Sequence, residues 1–137
     1  MGGNPLRITA DTNILVRAVA EDDPVQSPKA QKLLAEADLV AIPITTFVEC
    51  CWVLGRVYRF PASDVAEMIR KLVDGDNVAV DMGAVRAGLA QLEAGGDFAD
   101  AVIAHSGRDL GGETFVSFDK KAVDLLEKSR EAAQLLK

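Results

Sequence analysis

Apolar positions along the chain follow two rhythms that alternate. Short runs of strand character occur at Leu6–Ala10, Asp38–Pro43, Asn77–Asp81 and Glu113–Val116. Between them, apolar residues recur at the three- and four-residue spacing of a helix face. Ile14, Leu15, Val16, Ala18 and Val19 predict a short first helix, and Ala30, Leu33, Leu34 and Ala37 predict a second from about Ser27 to Ala37. A third follows Thr45 or Thr46 and runs to Leu54. Val65, Met68, Ile69 and Leu72 mark a fourth from Ser63 to Val73, and Val85, Leu89 and Leu92 a fifth from Gly83 to Ala94. A sixth begins after Asp97 and passes through His105. The tail from Lys120 to Lys137 reads mostly as helix, with Leu135 and Leu136 as candidates for a weak last strand. Strand–helix units repeated in this way predict an α/β protein with a parallel sheet and helices on both faces.

Punctuation residues sharpen the boundaries. Glu21-Asp22-Asp23-Pro24 breaks the first helix and serves as a solvated loop and N-cap region, with proline favoured near a helix start. Pro43 ends the second strand. With Thr46 as N-cap, Glu49 falls at the capping-box spacing. Asp74-Gly75-Asp76 is a turn, Gly95-Gly96 closes the fifth helix as a C-cap, and Asp97 is placed to cap the sixth. Trp52, Leu54 and Tyr58 read as core or interface.

Composition adds limits. The 137 residues are read as one domain, 1–137, large enough to fold without a disulfide or metal. No apolar run approaches the roughly 20 residues of a membrane span. Met1-Gly2-Gly3-Asn4-Pro5 has neither the basic and apolar regions of a signal peptide nor the serine or threonine of a myristoylation site. Cys50 and Cys51 are adjacent, which disfavours a mutual disulfide and suits two reduced, packed thiols in a cytosolic protein. With one histidine, His105, and no CxxC pair, a zinc site has no support. The net charge of −6 argues against a nucleic-acid partner unless several acids share one pocket. Two divalent cations bound there would bring the total to about −2.

Four acids recur at comparable places. Asp11 and Asp119 follow strands directly, whereas Glu49 and Asp100 lie in the first turns of helices. In a parallel sheet all four places open onto the carboxyl edge, where ligands bind. Each acid also has a local explanation as a helix cap or dipole partner. Clustered carboxylates repel and need a compensating cation, and hard oxygen ligands suit Mg²⁺ or Mn²⁺. Such ions activate water and stabilise displacement at phosphorus. No Cys–His pair or GxSxG elbow supports a nucleophilic side chain.

Asp11-Thr12-Asn13, the segment Thr45 to Glu49, the run Asp97-Phe98-Ala99-Asp100-Ala101-Val102-Ile103-Ala104 and Ser117-Phe118-Asp119 together resemble the PIN-domain ribonucleases, most nearly the VapC toxins of VapBC toxin–antitoxin pairs. The resemblance covers nearly the whole chain, and its strength lies in the series rather than in any one motif. It implies a three-layer α/β/α sandwich with a small, mostly parallel central sheet. It implies an endoribonuclease that uses one or two Mg²⁺ or Mn²⁺ ions, with Asp11, Glu49 and Asp100 as the main metal carboxylates and Asp119 as a fourth. By the same resemblance Asn13 orders the first acidic loop, Ser117 is the small hydroxyl residue before the fourth acid, and Asp97 is acidic in only some relatives. Ser117-Phe118-Asp119 departs from the usual Thr-x-Asp, and the C-terminal pattern is more helical than typical. The resemblance further implies a cytoplasmic homodimer held inactive by a cognate antitoxin. Trp52, Tyr58 and Phe60 are candidates for an apolar groove, against a plain core role. Arg17, Arg56 and Arg108 are candidates to hold RNA phosphates.

The alternative is a receiver-type signalling module binding Mg²⁺. That class requires paired acids after the first strand and an aspartate–lysine pair later in the sheet. Here the first strand offers only Asp11, and Asp81 has no clear lysine partner.

Overall fold

A computed structural model describes residues 6–137, so the segment Met1–Pro5, read above as carrying no leader or acylation signal, lies outside the described residues. Backbone contacts group the chain into two compact units, Met1–Asp81 and Met82–Lys137.

The first unit is built on a three-stranded parallel sheet. β1 (Arg7–Thr9) pairs with β2 (Leu39–Ala41), and β2 pairs with β3 (Val78–Ala79). The register sets Arg7 against Leu39 and Thr9 against Ala41, so β1 and β2 end side by side. α1 (Thr12–Ala20) and α2 (Gln26–Glu36) connect β1 to β2. α3 (Ile44–Trp52), a π-helical turn (Val53–Val57) and α4 (Ala62–Val73) connect β2 to β3. The helices form because each carries an apolar stripe that the sheet or its neighbours can cover. In α4 the stripe is Val65, Ala66, Ile69 and Leu72, all buried. Leu15, Val40, Phe47, Leu54 and Ile69 are fully enclosed and form the centre of this core. Each such side chain contributes roughly 1.5–3 kcal/mol on leaving water.

In the second unit α5 (Met82–Glu93) and α6 (Phe98–Asp109) pack against each other, and β4 (Phe115–Ser117) pairs in parallel with β5 (Ala133–Leu135). α7 (Lys120–Lys128) joins these strands. Val85, Phe98, Val102, Val123 and Leu126 form the core. Gly95 takes φ 97°, a conformation that glycine adopts without Cβ strain. Gly96 N–H then returns to the Gln91 carbonyl at 2.8 Å, closing α5 as the glycine pair predicts.

The α/β class and parallel pairing follow the sequence pattern. Several details do not. The helical tail stops at Lys128, and the weak last strand is real at Ala133–Leu135. β3 has two paired residues rather than five. The π-helical turn has no counterpart in the periodicity, because one extra residue in a turn leaves the apolar spacing nearly intact. Trp52 is not core: it is 59% exposed, whereas Leu54 is buried as expected. Tyr58 and Phe60 are half-buried and stack on each other with ring centroids 5.8 Å apart.

Candidate functional site

Asp11 stands just beyond β1 with extended backbone and is the N-cap of α1; its Oδ1 accepts from the Thr12 N–H at 2.8 Å. The capping role read for this residue is therefore real. Because β1 and β2 end together, α1 and α3 leave the sheet at the same edge. The Thr12 hydroxyl bridges them, donating to Glu49 Oε2 at 2.6 Å. The expectation that Glu49 approaches the Asp11 segment if the two strands are neighbours is thus met.

The reason given for its position is not. α3 begins at Ile44 after Pro43, with no side-chain cap, so Thr46 is inside the helix and no capping box forms. Proline in extended conformation starts the helix one turn earlier, and Glu49 lies in the second turn. Thr12, to which the sequence reading gave no role at the site, is the residue missed here. Its place between two functional candidates was the available signal. Asn13, exposed in the first turn of α1, lines with Ile14, Arg17, Gln26, Lys29 and Leu33 a cavity of about 540 Å³ between α1 and α2.

The second unit gathers the remaining acids. Asp97 is the N-cap residue of α6 by backbone conformation, but its carboxylate makes no capping bond. Asp100 follows in the first turn. Asp119 caps α7, accepting from the Ala122 N–H at 3.2 Å, while its own N–H donates to Ser117 Oγ at 3.0 Å. Ser117 thereby holds the backbone that presents the fourth acid. Asp97, Asp100 and Asp119 line one small cleft of about 50 Å³ with Gly96, Lys121 and Ala122. The half-buried Asp100 carboxyl is held above the usual carboxylate range, first by burial and then by the negative charges of Asp97 and Asp119. Lys121, also missed, supplies a cation at the cleft wall; the lysine pair after Asp119 was its signal. Carboxylate oxygens are the hard donors that a dication prefers, and an ion bound in this cleft would relieve the mutual repulsion of the three acids.

The three arginines proposed for phosphates differ. Arg17 is engaged: it meets Asp22 at 3.0 Å, Tyr58 Oη at 2.7 Å and Gln26 at 2.8 Å. The Tyr58 hydroxyl in turn donates to Asp22 at 2.6 Å, holding that carboxyl below its ordinary range. Arg108 is paired with Glu131. Arg56 is exposed and has no ion pair or hydrogen bond among the described residues. His105 is half-buried and lies 4.0 Å from Asp109 on its own helix. Both thiols are buried as expected, and burial pushes Cys50 up to about 12 and Cys51 higher still.

No helix among the described residues is long and apolar enough to cross a membrane. No curated protein matches the chain at a significant level. A sequence model of the PIN domain matches residues 8–128, from within β1 to the end of α7, taking in Asp11, Glu49, Asp97, Asp100 and Asp119. The PIN domain is a nuclease fold of α/β/α class, generally dependent on divalent metal. The match spans most of the chain and leaves the receiver-type alternative without support, so this protein belongs to the PIN-domain family.

Proposed function

We propose that this PIN-domain protein is a metal-dependent endoribonuclease that hydrolyses RNA phosphodiester bonds, and that it is the toxin of a toxin–antitoxin pair. The observation that carries the enzymatic reading is the half-buried Asp100 sharing one cleft with Asp97 and Asp119, its carboxyl raised first by burial and then by their negative charges. A group of carboxylates that resists ionisation is stable at neutral pH once a dication is bound.

In this reading Asp11, Glu49, Asp100 and Asp119 hold Mg²⁺ or Mn²⁺. An ion held by these residues would supply activation of a water and neutralisation of charge on the phosphate. The chain's own residues position the reactants. Thr12 fixes the Glu49 carboxylate through its hydroxyl and Ser117 fixes Asp119 through its backbone, while the ordering role of Asn13 rests on the likeness to the family. Asp97 adds negative charge beside Asp100, and Lys121 offers a cation for a phosphate oxygen.

The partner assignments rest on the likeness to the VapC group, with some support from the surface. The cavity between α1 and α2 has an apolar floor of Ile14, Ala30 and Leu33 and a polar rim, which suits an antitoxin segment. A homodimer working in the cytoplasm completes the proposal, and buried unpaired thiols agree with a reducing compartment.

The test is RNA cleavage by the purified protein with Mg²⁺ or Mn²⁺. Cleavage is expected to vanish on adding EDTA and in Asp11→Asn and Asp100→Asn, with circular dichroism unchanged. Full activity in both variants would refute the carboxylate mechanism.

A further inference from the structure

We propose that Trp52 is a stacking platform for an unpaired base of the RNA substrate, with Arg56 beside it to hold a phosphate; this rests on the ribonuclease reading above. The residues Thr45, Glu49, Trp52 and Arg56 follow at helical spacing and are all exposed, so they form one solvent-facing stripe on α3 and the turn that continues it. Trp52 stands three residues from Glu49, about 4.5 Å along the helix axis. A base next to a phosphate bound through a divalent cation at Glu49 would be within reach of its ring.

Exposure of this residue needs a reason. Tryptophan is large and apolar and is mostly buried in folded chains, yet this one is 59% exposed. The stripe around it is polar and charged, which is unlike the core of a protein–protein interface, where charge is depleted. A ligand with flat π faces joined by anionic groups matches both features at once. Single-stranded nucleic acid is such a ligand, and stacking on an aromatic ring tolerates any base. Arg56 completes the match, because it alone of the three candidate phosphate-binding arginines has no partner among the described residues.

The chain contains one tryptophan, so its fluorescence reports on this site alone. The experiment titrates short single-stranded RNA of mixed sequence into the full chain carrying Asp11→Asn, which keeps an N-cap residue and blocks turnover. Saturable quenching is expected, with far less from the same sequence as a duplex, whose bases are already stacked. In the active protein Trp52→Ala is expected to raise KM about 5- to 150-fold, the range of one lost base stack, while kcat at saturation holds. Trp52→Phe should recover most of the loss, and Arg56→Ala should lower the slope of log affinity against log salt by about 1. Light scattering on each variant reads the oligomeric state.

Quenching by single strands without any cleavage by the intact protein would sink the nuclease reading and leave the platform standing. Cleavage with an unmoved fluorescence signal, and an unchanged KM in Trp52→Ala, overturns the platform alone. A Trp52→Ala variant that loses self-association yet keeps its KM assigns the residue to a second copy of the chain and overturns it too.

Discussion

Gly88 offers a direct test of how packing controls the candidate metal cleft. It is buried on α5, and a methyl group placed on it would stand 2.5–2.7 Å from three ring carbons of Phe98. Real contacts of that kind do not fall below about 3 Å, so Gly88→Ala requires the ring or the helix to move. Phe98 is only 3% exposed and has no open side to turn into. Overpacking of this sort costs about 1–3 kcal/mol, and the alanine returns up to about 1 kcal/mol of helix propensity. With the ring enclosed, the expected net loss is about 1–2 kcal/mol, read as a lower urea midpoint at unchanged slope. The functional effect should be larger than the stability effect. Phe98 sits between Asp97 and Asp100 in the first turn of α6, so the displaced helix carries both carboxylates with it. A shift near 1 Å at reacting groups costs on the order of 100-fold in rate. Nuclease activity is therefore expected to fall by about that factor at temperatures where the variant is still folded. Gly88→Ala combined with Phe98→Leu should recover both quantities. A single variant as stable and as active as the parent would refute the packing argument.

Two further outcomes follow from the titrating groups. The Asp100 carboxyl binds its proton more tightly in the folded chain than in the unfolded one, so its ionised form opposes folding at neutral pH. Metal-free Asp100→Asn is therefore expected to melt higher than the parent at neutral pH. That gain should shrink as pH falls through the raised folded value towards the ordinary carboxylate range near 3.9. Mn²⁺ should stabilise the parent and not the variant; a metal-free variant that melts lower at neutral pH contradicts the crowding. The second outcome concerns Cys50 and Cys51, which stay protonated and shielded at neutral pH because burial lifts Cys50 to about 12 and Cys51 further. A thiol reagent should label them only on unfolding, and rapid labelling of the native chain would place them at the surface.

Local sequence accounts for the elements and for the candidate acids. An apolar residue every three or four positions specifies a helix face wherever the helix later packs, which is why α4 and α5 were legible within about a residue of their ends. Asp11, Asp97 and Asp119 were legible because they sit at boundaries, where strand composition stops and helix composition starts. Glu49 was found with the wrong local reason. Its capping box does not exist, and its real partner is the Thr12 hydroxyl, 37 residues away along the chain. That contact depends on β1 and β2 ending in register, which no periodicity encodes.

What the sequence determined by itself, then, was the order of elements, the parallel class and the type of chemistry its acids can support. These are set by local spacing and by side-chain identity. Tertiary structure alone decided that Thr12 holds Glu49, that burial and then Asp97 and Asp119 raise the Asp100 carboxyl, and that Arg17 is committed to Asp22 and Tyr58 while Arg56 is free among the described residues. It also decided that Trp52 faces water. Each of these is a meeting of segments distant in sequence, or the lack of one. Coulomb interaction and burial act through space, so they take their values only once the chain has folded.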